Sequence, residues 1–261
     1  MEILNFSPDE IKLFILVLIR VSIILSFFPI IASPLIPDTI KAGLYLVFSI
    51  LIMSAVKVNI AKFPIHRVDV LILIFSEAVI GLSLGFAIRF FIAAVQMAAQ
   101  IIGFQMGYTM INVIDPQSGT QISILEQIGY WVVLLFFLQL NGHNLFLASV
   151  IESFDLINIG TIVFKRELLT EMIRLSSDIF TIAIKIGSPT IAALLFINVA
   201  FGLVAKFEPK MNILLTAFPV PIIVGLIFFG FTLELLSIFT RNYVTDLLRM
   251  LKTILKILGR V

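Results

Sequence analysis

VLILIFSEAVIGLSLGFAIRFFIAAV, residues Val70–Val95, decides the fold. Only Glu77 and Arg89 are charged in this run and no proline interrupts it. It therefore reads as an apolar helix long enough to cross a bilayer, whose hydrocarbon core of about 30 Å takes roughly 20 residues. Five further runs share that character: Ile11–Ile31, Ala42–Val56, Ile128–Ile151, Ile179–Ala205 and Ile213–Phe239. The second is short for a span. Met97–Val113 is also apolar, but polar and glycine residues interrupt it, which places it in a connection. The expectation is an all-α polytopic membrane protein of about six kinked hydrophobic helices. Pro189, Pro209, Pro219 and Pro221 are the candidate kinks or helix ends. Residues 1–240 read as one helical membrane domain and 241–261 as a basic amphipathic C-terminal helix.

Composition agrees. Of 261 residues, 60% are hydrophobic and 13% charged, with a mean hydropathy of +1.15. Soluble domains run nearer half apolar and a quarter charged. The chain has no cysteine, so disulfides, thiol nucleophiles and Cys-based zinc sites are excluded. His66 and His143 stand far apart, with no second ligand at helical spacing. There is no Gly-rich phosphate loop and no Ser/His/Asp arrangement. The expectation is a chain that is not an enzyme, takes no cofactor and binds no nucleic acid. Asp9 and Glu10 precede the first apolar run, where a cleavable signal would be basic, so that run reads as a retained span.

Orientation follows from cationic residues outside the runs. With six spans, eleven Lys and Arg fall on the side of the termini, against Lys41, Lys206 and Lys210 opposite. That bias puts both termini in the cytoplasm.

Several features are candidates for function. Arg20, Glu77, Arg89, Lys185 and Glu234 lie within apolar runs. A charge at the bilayer centre costs about 3 kcal/mol or more, so each needs a partner, a cavity or another subunit. A conduction path is one reading; a structural ion pair or snorkelling near a helix end is the other. Gly81 and Gly85, and Gly103 and Gly107, are spaced four apart, which on a helix lets a neighbour approach closely. That neighbour is either in the same chain or in another subunit. Met97, Met106 and Met110 cluster near Phe104, and Met106 and Met110 would share a helical face. Methionine can re-pack against changing shapes or simply fill a core. Asp115-Pro-Gln-Ser-Gly-Thr-Gln121 is a polar interruption that stops a helix at Pro116 and permits positive φ at Gly119. Such backbone fits either a surface turn or a cavity lining. Beyond Arg241, Val244, Leu247, Leu248, Leu251, Ile254, Leu255 and Leu258 form an apolar stripe opposite Arg249, Lys252, Lys256 and Arg260. An anionic leaflet is the default surface for it.

The stretch Ile102–Gln121, IGFQMGYTMINVIDPQSGTQ, resembles the signature segment of the FliR family of type III export gate subunits. Two later blocks agree in order and spacing: Leu140-Asn-Gly-His143, and Asn198–Ile213 followed by Phe218-Pro219 and Gly225. Arg20 followed by Phe28-Pro29-Ile30 is also similar. The resemblance implies a non-enzymatic subunit of the export gate at the flagellar basal body, multi-pass in the bacterial inner membrane. It implies assembly with FliP and FliQ, with FlhB and FlhA nearby, around a pore for unfolded flagellar subunits. It also implies that the segment matching Phe104–Gln121 acts as a plug, assigning gating to Phe104, Met106, Met110, Asp115, Pro116, Gln117 and Gly119. Tyr108, Thr109 and Asn112 depart from the family by making this segment more polar. The injectisome T proteins are the nearest alternative branch, and a self-contained small-molecule transporter is a more distant one.

Overall fold

The computed structural model describes residues 8–33, 35–55, 66–107, 124–160, 165–207 and 219–259. Among these the chain is all-α, with seven helices: α1 Pro8–Ser26, α2 Asp38–Ala55, α3 Arg67–Gln105, α4 Ile124–Gln139, α5 Gly142–Leu156, α6 Arg166–Phe207 and α7 Pro219–Leu258. α3, α6 and α7 are long and apolar enough to cross a membrane, and α4 with α5 makes a fourth candidate if that bent pair is one span. Among the described residues α1, which carries Glu10, Lys12 and Arg20, and α2 are not among these candidates.

Three expectations change. The run Ile128–Ile151 is two helices, because the chain breaks at Leu140–Asn141, where Asn141 takes left-handed backbone at φ 57°. Asn is among the few non-glycine residues that visit this region readily. Met97–Val113 is not all connection: α3 continues to Gln105, and Ala98, Ala99, Ile102 and Met106 give it a buried face at helical spacing. The basic tail is the uninterrupted continuation of α7. Its stripe of Leu247, Leu251, Ile254, Leu255 and Leu258 is fully buried by protein, so no leaflet is needed to cover it.

Pro189 lies inside α6 without ending it. A proline has no N–H for the carbonyl four residues back, here that of Lys185. Ser188 Oγ donates to that carbonyl at 3.0 Å and restores the lost bond. A hydroxyl in the adjacent position is how an apolar helix tolerates proline.

The helices form two compact units. The first comprises residues 1–90, 141–175 and 245–261, and the second 91–140 and 176–244. In the first, α1 lies along α3. A Cβ placed on Gly81 would meet Ile23 Cβ at 2.9 Å, and one on Gly85 would meet Phe27 Cδ2 at 2.6 Å. The Gly81/Gly85 spacing thus serves packing within the chain. Phe27 meets Phe86 edge-on at 4.9 Å, and Phe28 stacks on Phe146 of α5 at 5.2 Å. Lys252 of α7 pairs with Glu152 of α5 at 2.9 Å, and Lys165 Nζ donates to the Gly259 carbonyl at 3.2 Å.

In the second unit, α6 and α7 run antiparallel. Thr190 and Thr232, both buried, share a hydrogen bond of 2.7 Å. One cluster joins Ala183 and Ile186 to Leu236, Phe91, Val95 and Val133. The next joins Leu194 to Phe229, Ala99, Ile102, Met106 and Leu125. Tyr243 stacks on Phe91 at 4.1 Å.

Overpacking a close-packed contact costs about 1–3 kcal/mol. Gly85→Val is therefore expected to lower the thermal midpoint of the detergent-solubilised protein, while Gly43→Ala, whose added Cβ meets nothing within 4 Å and which improves helix propensity, leaves it unchanged or slightly raised.

Candidate functional site

Charges buried in a helical core demand partners. Arg20 and Glu77 are both fully buried, and Arg20 Nε donates to Glu77 Oε2 at 2.6 Å. Their sequence separation is 57 residues. The remaining guanidinium donors go to the end of α5: Nη1 to the Ser153 carbonyl at 2.9 Å, and both Nη1 and Nη2 to the Ile157 carbonyl at 3.3 Å. The carbonyls at a helix C-terminus carry the negative end of its dipole, so a cation belongs there, although the Ser153 carbonyl also accepts the Ile157 N–H at 3.1 Å. The Phe154 ring lies 4.3 Å from Arg20 Cζ and adds a cation–π contact. Glu77 Oε1 accepts the Gly160 N–H at 3.3 Å. Gly160 has φ +77°, a conformation that favours glycine, and a Cβ there would press on Leu73 Cδ1 at 3.1 Å.

The clamp belongs to a longer seam. Glu77, Gly81 and Gly85 recur every fourth residue on one face of α3. They meet Arg20, Ile23 and Phe27 on one face of α1. The contact order rises together on both helices, so α1 and α3 run parallel here. One stripe thus carries both the charge pair and the small residues that let the helices approach.

The other intramembrane charges are not gathered into this site. Arg89 is half-buried, while Lys185 and Glu234 are exposed. No ion pair among the described residues involves any of the three.

The polar segment departs from the end of α3. Phe104 and Met106 are only two residues apart but face opposite environments: Phe104 is 68% exposed and Met106 is 1% exposed. Met106 N–H still donates to the Ile102 carbonyl at 3.0 Å, and Gly107 N–H turns back to Phe104 at 3.1 Å. Gly107 has φ 85°. It ends the helix in the left-handed conformation that glycine adopts without strain. Gly103 is buried on α3, but Gly107 lies past the helix end, so the two do not share a helical face as their spacing predicts. Met110, Asp115, Pro116, Gln117 and Gly119 lie outside the described residues.

With this geometry in place, likeness to known proteins becomes informative. Residues 11–247 match the family described as Bacterial export proteins, family 1. The chain belongs to this family. It is 31% identical to the flagellar biosynthetic protein FliR of Bacillus subtilis (strain 168) over 261 residues, covering 98% of this chain and 99% of that protein. It is 28% identical to FliR of Escherichia coli (strain K12) over 238 residues, covering 91% and 90%. With FliR of Aquifex aeolicus (strain VF5) identity is 28% over 230 residues, covering 87% of each. The export-family match spans both halves of the α1–α3 seam and the end of α3.

Sequence reasoning missed three contributors. The carbonyls of Ser153 and Ile157 and the N–H of Gly160 complete the clamp, and backbone groups leave no mark in residue type. Gly225 stood in a late block without a role; a Cβ there would lie 2.5 Å from Met106 Cγ. Gly160's positive φ is the one feature a glycine in a short connection could have announced.

Removing one member of a buried pair strands the other charge, at a cost of about 3–5 kcal/mol. Arg20→Leu is expected to lower the membrane-inserted level and thermal midpoint sharply. The double variant Arg20→Leu/Glu77→Leu is expected to recover at least half of that loss, read by thermal unfolding in detergent.

Proposed function

We propose that this chain is a structural and gating subunit of the flagellar type III protein export gate, resident in the bacterial inner membrane. What carries this reading is the end-to-end likeness to FliR proteins, which covers both halves of the α1–α3 seam. The chain's helices suit a subunit that is finished by neighbours. In the most apolar windows of α6 and α7 only 11% and 22% of residues are buried, against 56% in α3. Long apolar faces left open by their own chain are satisfied by lipid or by other subunits. The subunits we infer are FliP and FliQ, with FlhB and FlhA associated, and unfolded flagellar proteins are the cargo. The role is structural rather than enzymatic.

Within this reading the segment from Phe104 to Gln121 is the plug, and Gly107 is where the chain leaves α3 to form it. Its support is the FliR-like signature together with the helix end at Gly107. Lys185 and Glu234, exposed within the apolar stretches of α6 and α7, are read as facing other subunits. The eleven-to-three asymmetry of cationic residues supports cytoplasmic termini.

Three measurements test these statements. Tagged chain is expected to co-purify with FliP and FliQ; a monodisperse protein that moves a solute alone would instead make it a transporter. Deleting residues 114–120 is expected to make cells carrying the assembled gate permeable to small solutes, and unchanged permeability removes the plug assignment. A reporter fused after Val261 is expected to signal cytoplasm, whereas a periplasmic signal overturns the orientation.

A further inference from the structure

We propose that Gly225 of α7 is a positioning residue that seats Met106 and so fixes the point at which the chain leaves α3. This rests on the plug reading above and extends it to a residue outside the plug segment.

A Cβ at Gly225 would lie 2.5 Å from Met106 Cγ, 2.7 Å from Sδ and 2.8 Å from Cε. The methionine side chain therefore lies flat across the α7 backbone, in the volume any larger residue at 225 would claim. Gly225 is buried and sits within a continuous helix, where glycine is a poor choice compared with alanine. No positive φ requires it there. Close approach is the remaining physical reason for glycine at this position.

The seat is enclosed. Met106 packs with Ile102, Leu125, Leu194 and Phe229, and all five side chains are buried. Leu125 lies in the first turn of α4. Both ends of the connection between α3 and α4 thus enter one core, with Met106 at the departure and Leu125 at the return. Immediately after Met106, Gly107 at φ 85° turns the chain away. Met106 is thus the anchored end of the plug segment, held in this core. A flexible thioether suits the task, because it conforms to a backbone surface that offers no side chain of its own.

The test uses full-length chain in cells with the rest of the export apparatus, and reads small-solute permeability per copy of membrane-inserted protein. Gly225→Val displaces Met106 and is expected to raise permeability about tenfold, as overpacking of this kind shifts a packed equilibrium. Met106→Ala empties the seat and is expected to raise permeability to a similar degree. The double variant is expected to be no leakier than the leakier single, a non-additivity that independent damage to α7 would not show. If Gly225→Val does not accumulate, Gly225→Ala takes its place, with a smaller rise and the same non-additivity. Deletion of residues 114–120 is the reference. Permeable deletion cells beside tight glycine-variant cells overturn the seat alone, as does a double variant in which the two rises multiply. Tight deletion cells overturn the plug reading and the seat with it.

Discussion

A guanidinium and a carboxylate withdrawn from both water and lipid set the terms for half of this molecule. Such a pair is tolerable only when its remaining donors and acceptors are also satisfied. The chain meets that demand with backbone. The carbonyls at the end of α5 take the spare Arg20 hydrogens, and the Gly160 N–H takes the second oxygen of Glu77. Three distant segments are therefore committed to one geometry. The glycines one and two turns beyond Glu77 bring α1 and α3 close enough for the pair to form.

The second unit is held differently. Its centre is apolar, with a buried threonine–threonine hydrogen bond between α6 and α7. Its outward faces carry Phe180, Leu195, Phe196, Val199 and Phe231 in the open. α3 buries more than half of its most apolar window, whereas α6 and α7 leave most of theirs outward. Hydropathy alone treats the three helices alike, yet they have different work: one is scaffold, and two present surface.

Much of this was legible in sequence, for identifiable reasons. Apolar runs report helices in lipid or in a core, so α1, α2, α3, α6 and α7 each overlap a run, and α3, α6 and α7 extend beyond theirs. The four-residue spacing of Gly81 and Gly85 reports close packing, although not which helix approaches. The break at Asn141 was hidden because two apolar helices in succession read as one run. The tail stripe was visible, but amphipathicity cannot say whether lipid or protein covers it. Partners of buried charges were the hardest: Glu77 pairs across 57 positions, and two of the carbonyls around Arg20 lie 133 and 137 positions away. Tertiary contact leaves no periodicity. The signature beginning at Ile102 pointed to an export family, and it did so through residue identities rather than through physics.

The most direct test of the whole account is secretion. In a host lacking this chain, with its other flagellar genes expressed, hook and filament subunits are expected to stay inside the cell, and re-expression of the chain is expected to restore them to the medium. Continued secretion of those subunits without the chain would contradict the account.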